Sequence, residues 1–83
     1  MIARRIIESD NFKEAYNKID KSIKIKLDKL LTKIVDSPEI GKPMRYGRKG
    51  TREVYVSPFR LSYVYVKESE TIFLLDLYHK NKQ

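Results

Sequence analysis

The chain has one histidine, no cysteine and many arginines and lysines, and these limit the chemistry open to it. Without Cys there is no thiolate nucleophile, redox pair or thiolate-held metal. A single His supplies neither a two-imidazole acid–base pair nor a His-rich metal site. The remaining candidates are Arg60, His79, Glu53 and Lys80, with Tyr78 next to the histidine. A basic run adds Arg45, Arg48, Lys49 and Arg52, with Tyr46 inside it. No acid occurs from Gly41 to Thr51, so nothing nearby in sequence neutralises that run. The set suits RNA cleavage that uses neither metal nor cofactor. There a 2′-hydroxyl attacks the adjacent phosphate. A base takes its proton, cations balance the phosphorane and an acid protonates the departing 5′-oxygen. Arg60 fits the cationic task, because its planar fork matches phosphate oxygens. His79 fits proton transfer, because an imidazole can gain or lose a proton near neutral pH, and Glu53 or Lys80 would assist it. Arg45, Arg48, Lys49 and Arg52 would hold RNA phosphates, and Tyr46 would stack on a base. Simple pairing of Arg60 with Glu53 is the competing reading.

These residues fall on three strands. Arg52 to Val56 alternates and is rich in strand formers. Ser57-Pro58 is a tight connection. In Phe59 to Lys67, Leu61, Tyr63 and Tyr65 face one way, and Arg60, Ser62, Val64 and Val66 the other. Lys67 to Glu70 is a polar turn, and Thr71 to Tyr78 is nearly continuously apolar, as a central strand covered on both faces would be. A hairpin centred on that turn places Arg60 opposite residue 78, which is expected to bring Arg60 and His79 together. Arg52 and Glu53 would stand beside Arg60 across the other pair. Strand parity is read as turning Tyr78 away from the open face.

The first half must cover the other face of this sheet. Ala3 to Ile7 reads as a strand. Ser9, Asp10 and Asn11 offer helix N-caps, and Phe12, Ala15, Tyr16 and Ile19 recur at helical spacing. Asp20 can cap a second helix, whose stripe is Ile23, Leu27, Leu30, Leu31 and Ile34. Pro38 stops it near Asp36. Ile25 lies off that stripe. The expected fold is α+β: a small twisted antiparallel sheet with an N-terminal helix hairpin on one face, in the order β-α-α-β-β-β.

At 83 residues the chain is read as one domain, 1–83. Its hydrophobic-to-charged balance is that of a soluble globular protein. Eighteen basic against eleven acidic residues give a net charge of +7, which attracts polyanions: nucleic acid, an anionic surface or an acidic protein. No stretch is long and apolar enough for a bilayer span or a signal core, so a cytoplasmic location without membrane partners is expected.

Several segments together resemble the RelE/ParE toxin superfamily. They are Phe12, the Leu27–Ile34 helix ending in Asp36-Ser37-Pro38, Gly41-Lys42-Pro43, and Arg52-Glu53-Val54-Tyr55-Val56. To these add Phe59-Arg60-Leu61-Ser62-Tyr63 and Leu75-Asp76-Leu77-Tyr78-His79-Lys80. The resemblance implies a type II toxin, a monomer alone and a hetero-oligomer with a small acidic antitoxin encoded beside it. RelE-like members cleave mRNA on the ribosome; ParE-like members inhibit gyrase and are not nucleases. By position, Arg60 resembles the arginine that binds the scissile phosphate, and His79 a C-terminal histidine of RNA-cleaving members. Arg48, Lys49 and Arg52 resemble the basic RNA-binding loop, and Glu53 a glutamate common before that strand. Leu77 stands where several relatives have a further arginine, and Lys80 where others have tyrosine. An mRNA-cleaving toxin is therefore expected, with a gyrase inhibitor or an inactive RNA- or antitoxin-binding member as alternatives.

Overall fold

A computed structural model describes residues 2–43 and 50–82. The expected RNA-binding residues Arg45, Tyr46, Arg48 and Lys49 lie outside the described residues. Strand β1, Arg5–Glu8, leads into helices α1, Asp10–Lys18, and α2, Lys21–Asp36. Then follow β2, Lys42–Pro43, β3, Thr51–Val56, β4, Phe59–Val66, and β5, Thr71–His79, ending in a 3₁₀ turn, Lys80–Lys82. The peptide between Ser57 and Pro58, joining β3 to β4, is cis.

Local chemistry sets the helix limits. Ser9 caps α1 by accepting from the Phe12 N–H at 3.0 Å, and Asp20 caps α2 by accepting from the Ile23 N–H at 3.0 Å. The Asp20 carboxyl is held below its usual range, first by that backbone hydrogen bond and then by the Ser22 hydroxyl. Both helices turn their apolar stripes inward. Phe12, Leu27 and Ile34 pack with Leu61, Tyr63, Ile72 and Leu74 in one buried layer between hairpin and sheet. Each such side chain, fully buried, contributes on the order of 1.5–3 kcal/mol. Ile25 stays exposed, as its place off the stripe requires. No helix among the described residues is long and apolar enough to cross a membrane.

The sheet order is β1-β5-β4-β3-β2. The last four strands are antiparallel neighbours, as the short links require. By contrast, β1 lies parallel to β5, so the sheet is mixed. The chain leaves β1 into the helices, and only the last strand returns beside it. One irregularity sets which residues of β5 face inward. Ser62 pairs with Asp76 and Tyr63 with Leu74, leaving Leu75 as an extra residue. Such a bulge shifts the alternation by one, so Leu77, Leu74 and Ile72 all reach the core. Ser9, already the cap of α1, fixes this point by donating its hydroxyl to the Leu75 carbonyl at 2.6 Å.

Candidate active site on the open sheet face

The face away from the helices carries a cross-strand row. Tyr55 of β3 registers with Arg60 of β4, and Arg60 with Tyr78 of β5. Glu53 lies two residues from Tyr55, hence on the same face. The Arg60 Nη1 is 3.6 Å from Glu53 Oε1, and its Nη2 donates to the Tyr55 hydroxyl. The guanidinium carbon sits 4.8 Å from the centre of the Tyr55 ring. The Tyr78 hydroxyl donates to the other Glu53 oxygen. The side chains of Arg60 and Glu53 are only 20% and 15% exposed, so this ion pair is partly desolvated. The Arg60 Nε is buried and finds no hydrogen-bond partner among the described residues. A buried N–H without a partner costs free energy that an incoming acceptor would recover.

His79 is not part of this row. Because Arg60 registers with Tyr78, the pleat turns the next residue to the opposite face. His79 registers with Phe59 and meets its ring edge-on at 5.7 Å. It lies on the helix side, at a cleft of about 260 Å³ lined also by Ala15, Lys18, Ile19, Phe59, Leu77 and Tyr78. Its Nδ1 accepts from the Asn81 N–H at 3.2 Å. The expected meeting of Arg60 and His79 is therefore corrected: they occupy opposite faces. The expected turning of Tyr78 away from the open face is corrected by the same register. Lys80 is exposed where the chain leaves the sheet, and its N–H donates to the Pro58 carbonyl at 3.0 Å.

Arg52 also lies on the helix side. It registers with Tyr63, a core residue, and not with Arg60. Its Nη1 donates to the carbonyls of Glu39, at 3.0 Å, and Gly41, at 2.8 Å, and its Nη2 is 3.7 Å from the Glu39 carboxylate. These bonds occupy much of its fork with the protein's own backbone. The Tyr63 hydroxyl donates to the Pro38 carbonyl at 2.8 Å and accepts from the Gly41 N–H at 2.9 Å. Burial raises the pKa of this phenol, against the opposing effects of the Gly41 N–H and Arg52. A Cβ on Gly41 would stand 2.6 Å from that oxygen, so the approach requires glycine. Arg52 and Tyr63 together hold the connection from α2 to β2.

The open face thus carries a guanidinium with a spare donor, a carboxylate and two phenols. These can bind a phosphate, accept a proton and donate one. Tyr55 was the residue that sequence reasoning missed, while Tyr78 was among its candidates and was set aside on strand parity. The signal was present: a tight connection at Ser57-Pro58 pairs residue 55 with 60, and the next hairpin pairs 60 with 78.

A model of the family described as ParE toxin of type II toxin–antitoxin system, parDE, matches residues 8–83. No curated protein sequence matches significantly. Among solved structures, the chain is similar to one in the Mycobacterium tuberculosis toxin–antitoxin complex RelBE2. Identity is 20%, coverage 95% of this chain and 100% of that one, and the TM-score 0.84. The intact Escherichia coli RelBE toxin–antitoxin complex matches at 19% identity, over 93% of this chain and 96% of that one, with a TM-score of 0.80. A YoeB/ParE toxin from Agrobacterium tumefaciens matches at 12% identity, over 92% and 98%, with a TM-score of 0.82. At these identities the structural likeness shows the fold.

Proposed function

Since the chain belongs to the ParE toxin family of type II toxin–antitoxin systems, within the RelE/ParE superfamily, we propose that it acts by cleaving mRNA on the ribosome without a metal. The observation that carries this reading is the Arg60 guanidinium on the open face. Its terminal nitrogens face the Glu53 carboxylate and the Tyr55 hydroxyl, and its buried Nε has no partner among the described residues. A scissile phosphate would compete with Glu53 for Arg60. The freed carboxylate then takes the proton of the 2′-hydroxyl. That oxygen forms its bond to phosphorus while Arg60 balances the phosphorane charge. As the bond to the 5′-oxygen breaks, the Tyr78 hydroxyl gives that oxygen its proton. Products are a 2′,3′-cyclic phosphate and a 5′-hydroxyl. This assignment uses Glu53 and Arg60 as the sequence suggested, and Tyr78 in place of His79.

The net charge of +7 supports both an RNA substrate and an acidic antitoxin as partner. The toxin–antitoxin complexes among the similar structures support the second partner further. Arg45, Arg48 and Lys49 are proposed to hold RNA phosphates. A second reading, a non-enzymatic gyrase inhibitor, is favoured by the ParE family match and by the lack of an imidazole on Arg60's face.

Mapping transcript 5′ ends after induced expression separates these readings. New ends are expected for the native chain and for His79→Ala, and are expected to disappear in Glu53→Gln and Arg60→Lys, which retain comparable side-chain size. Loss of the ends under chloramphenicol would support action on translating ribosomes. Growth arrest with intact transcripts and damaged DNA would establish the gyrase reading. Unaffected growth would leave a binding module only.

A further inference from the structure

Tyr55 is left without a role in the chemistry above, yet its position is unusual. It is 60% exposed, whereas every other described aromatic side chain is buried or half-buried. An exposed aromatic on a sheet forgoes the burial that would otherwise make it favourable there. Tyr55 is nevertheless held in place. One side of the ring is covered by the Arg60 guanidinium at 4.8 Å, and its hydroxyl accepts from Arg60 Nη2. The rest of the ring faces solvent on the open face. It stands one strand spacing, about 4.8 Å, from the residue proposed to hold the phosphate.

We infer that Tyr55 is a nucleobase-stacking subsite, which seats the base adjoining the phosphate held by Arg60. This rests on the reading of the open face as an RNA site and deepens it. A planar base laid on the free side of the ring completes a layer of guanidinium, phenol and base. Each interface in that layer is favourable, the first as a cation–π contact and the second as stacking. Every base has a π-face, so the subsite selects an unstacked single strand over a duplex. Phosphate binding alone would gain from Arg60 but not from an exposed ring beside it. With Tyr78 at the other end of the row, the chain of the ligand is directed across the strands and along the row.

The test is equilibrium binding of the full chain, at one fixed salt concentration, to a single-stranded RNA hexamer made uncleavable by one 2′-deoxy residue. The same hexamer with abasic residues flanking the central phosphate serves as its partner probe. The native chain is expected to bind the base-bearing hexamer ~10-fold or more tighter than the abasic one. Tyr55→Leu, with an unchanged melting temperature, should lose that preference and bind both like the abasic probe. Tyr55→Phe should keep it. Two results would overturn the inference while sparing the RNA site: no base preference in the native chain, or full preference retained by Tyr55→Leu. Equal loss in Tyr55→Phe would also overturn it, showing that the hydroxyl serves only to place Arg60. Failure of the native chain to bind either hexamer would remove the RNA site and this subsite together.

Discussion

The ladder between β3 and β4 contains two cross-strand pairs of arginine and tyrosine, Arg52 with Tyr63 and Arg60 with Tyr55. They share a residue composition and differ in the face they occupy. On the helix side, Tyr63 is fully buried with both hydrogen bonds of its hydroxyl spent on Pro38 and Gly41, and Arg52 is spent on two backbone carbonyls. On the open side, Tyr55 is exposed and the Arg60 Nε has no partner. A side chain whose donors are consumed by its own backbone holds the fold. One paired only with neighbouring side chains, and with one N–H left over, can exchange those partners for a ligand. The same two residue types therefore serve structure on one face and, in the function proposed above, chemistry on the other.

The largest effect is expected at the buried phenol. Tyr63→Ala removes a fully buried ring and strands the Pro38 carbonyl and the Gly41 N–H. It should cost about 3–5 kcal/mol, read as a fall in the denaturation midpoint. Next comes a matched exchange of both arginines for lysine, which keeps the charge and loses the fork. Arg60→Lys should lower RNA cleavage by about 100-fold with little change in melting temperature. Arg52→Lys should do the opposite, leaving cleavage intact while losing about 1.5 kcal/mol of stability. If the two variants behave alike, the contrast between the faces is broken. Gly41→Ala places a methyl group against Tyr63 and should cost about 1–3 kcal/mol without touching the open face. The smallest effect is one of pH alone. The Asp20 carboxyl is depressed below 3.8 in the folded chain, so the stability it adds is complete above 3.8 and is lost as pH falls below that value. Asp20→Asn, which keeps a capping side chain, should therefore flatten that part of the acid limb in melting curves. It should leave cleavage unchanged.

Much of this molecule is written in local patterns. The helix limits follow from Ser9, Asp20 and Pro38, because caps and breakers act within one turn. The inward stripes follow from spacing, and the alternation of Leu61, Tyr63 and Tyr65 against Arg60 and Ser62 follows from the pleat. Arg60 and Glu53 could be picked from the sequence because charges on a half-covered strand must face the open side or be paired. The three-dimensional fold alone decided the rest. The parallel place of β1 depends on packing between distant segments. The bulge at Leu75 depends on a serine far away in the chain. Arg52 was assigned to the backbone, and His79 to the helix side, by a register in which one step moves a side chain through the sheet. Residue types named the candidate groups, but only that register decided that a phenol, and not the imidazole, stands next to the guanidinium.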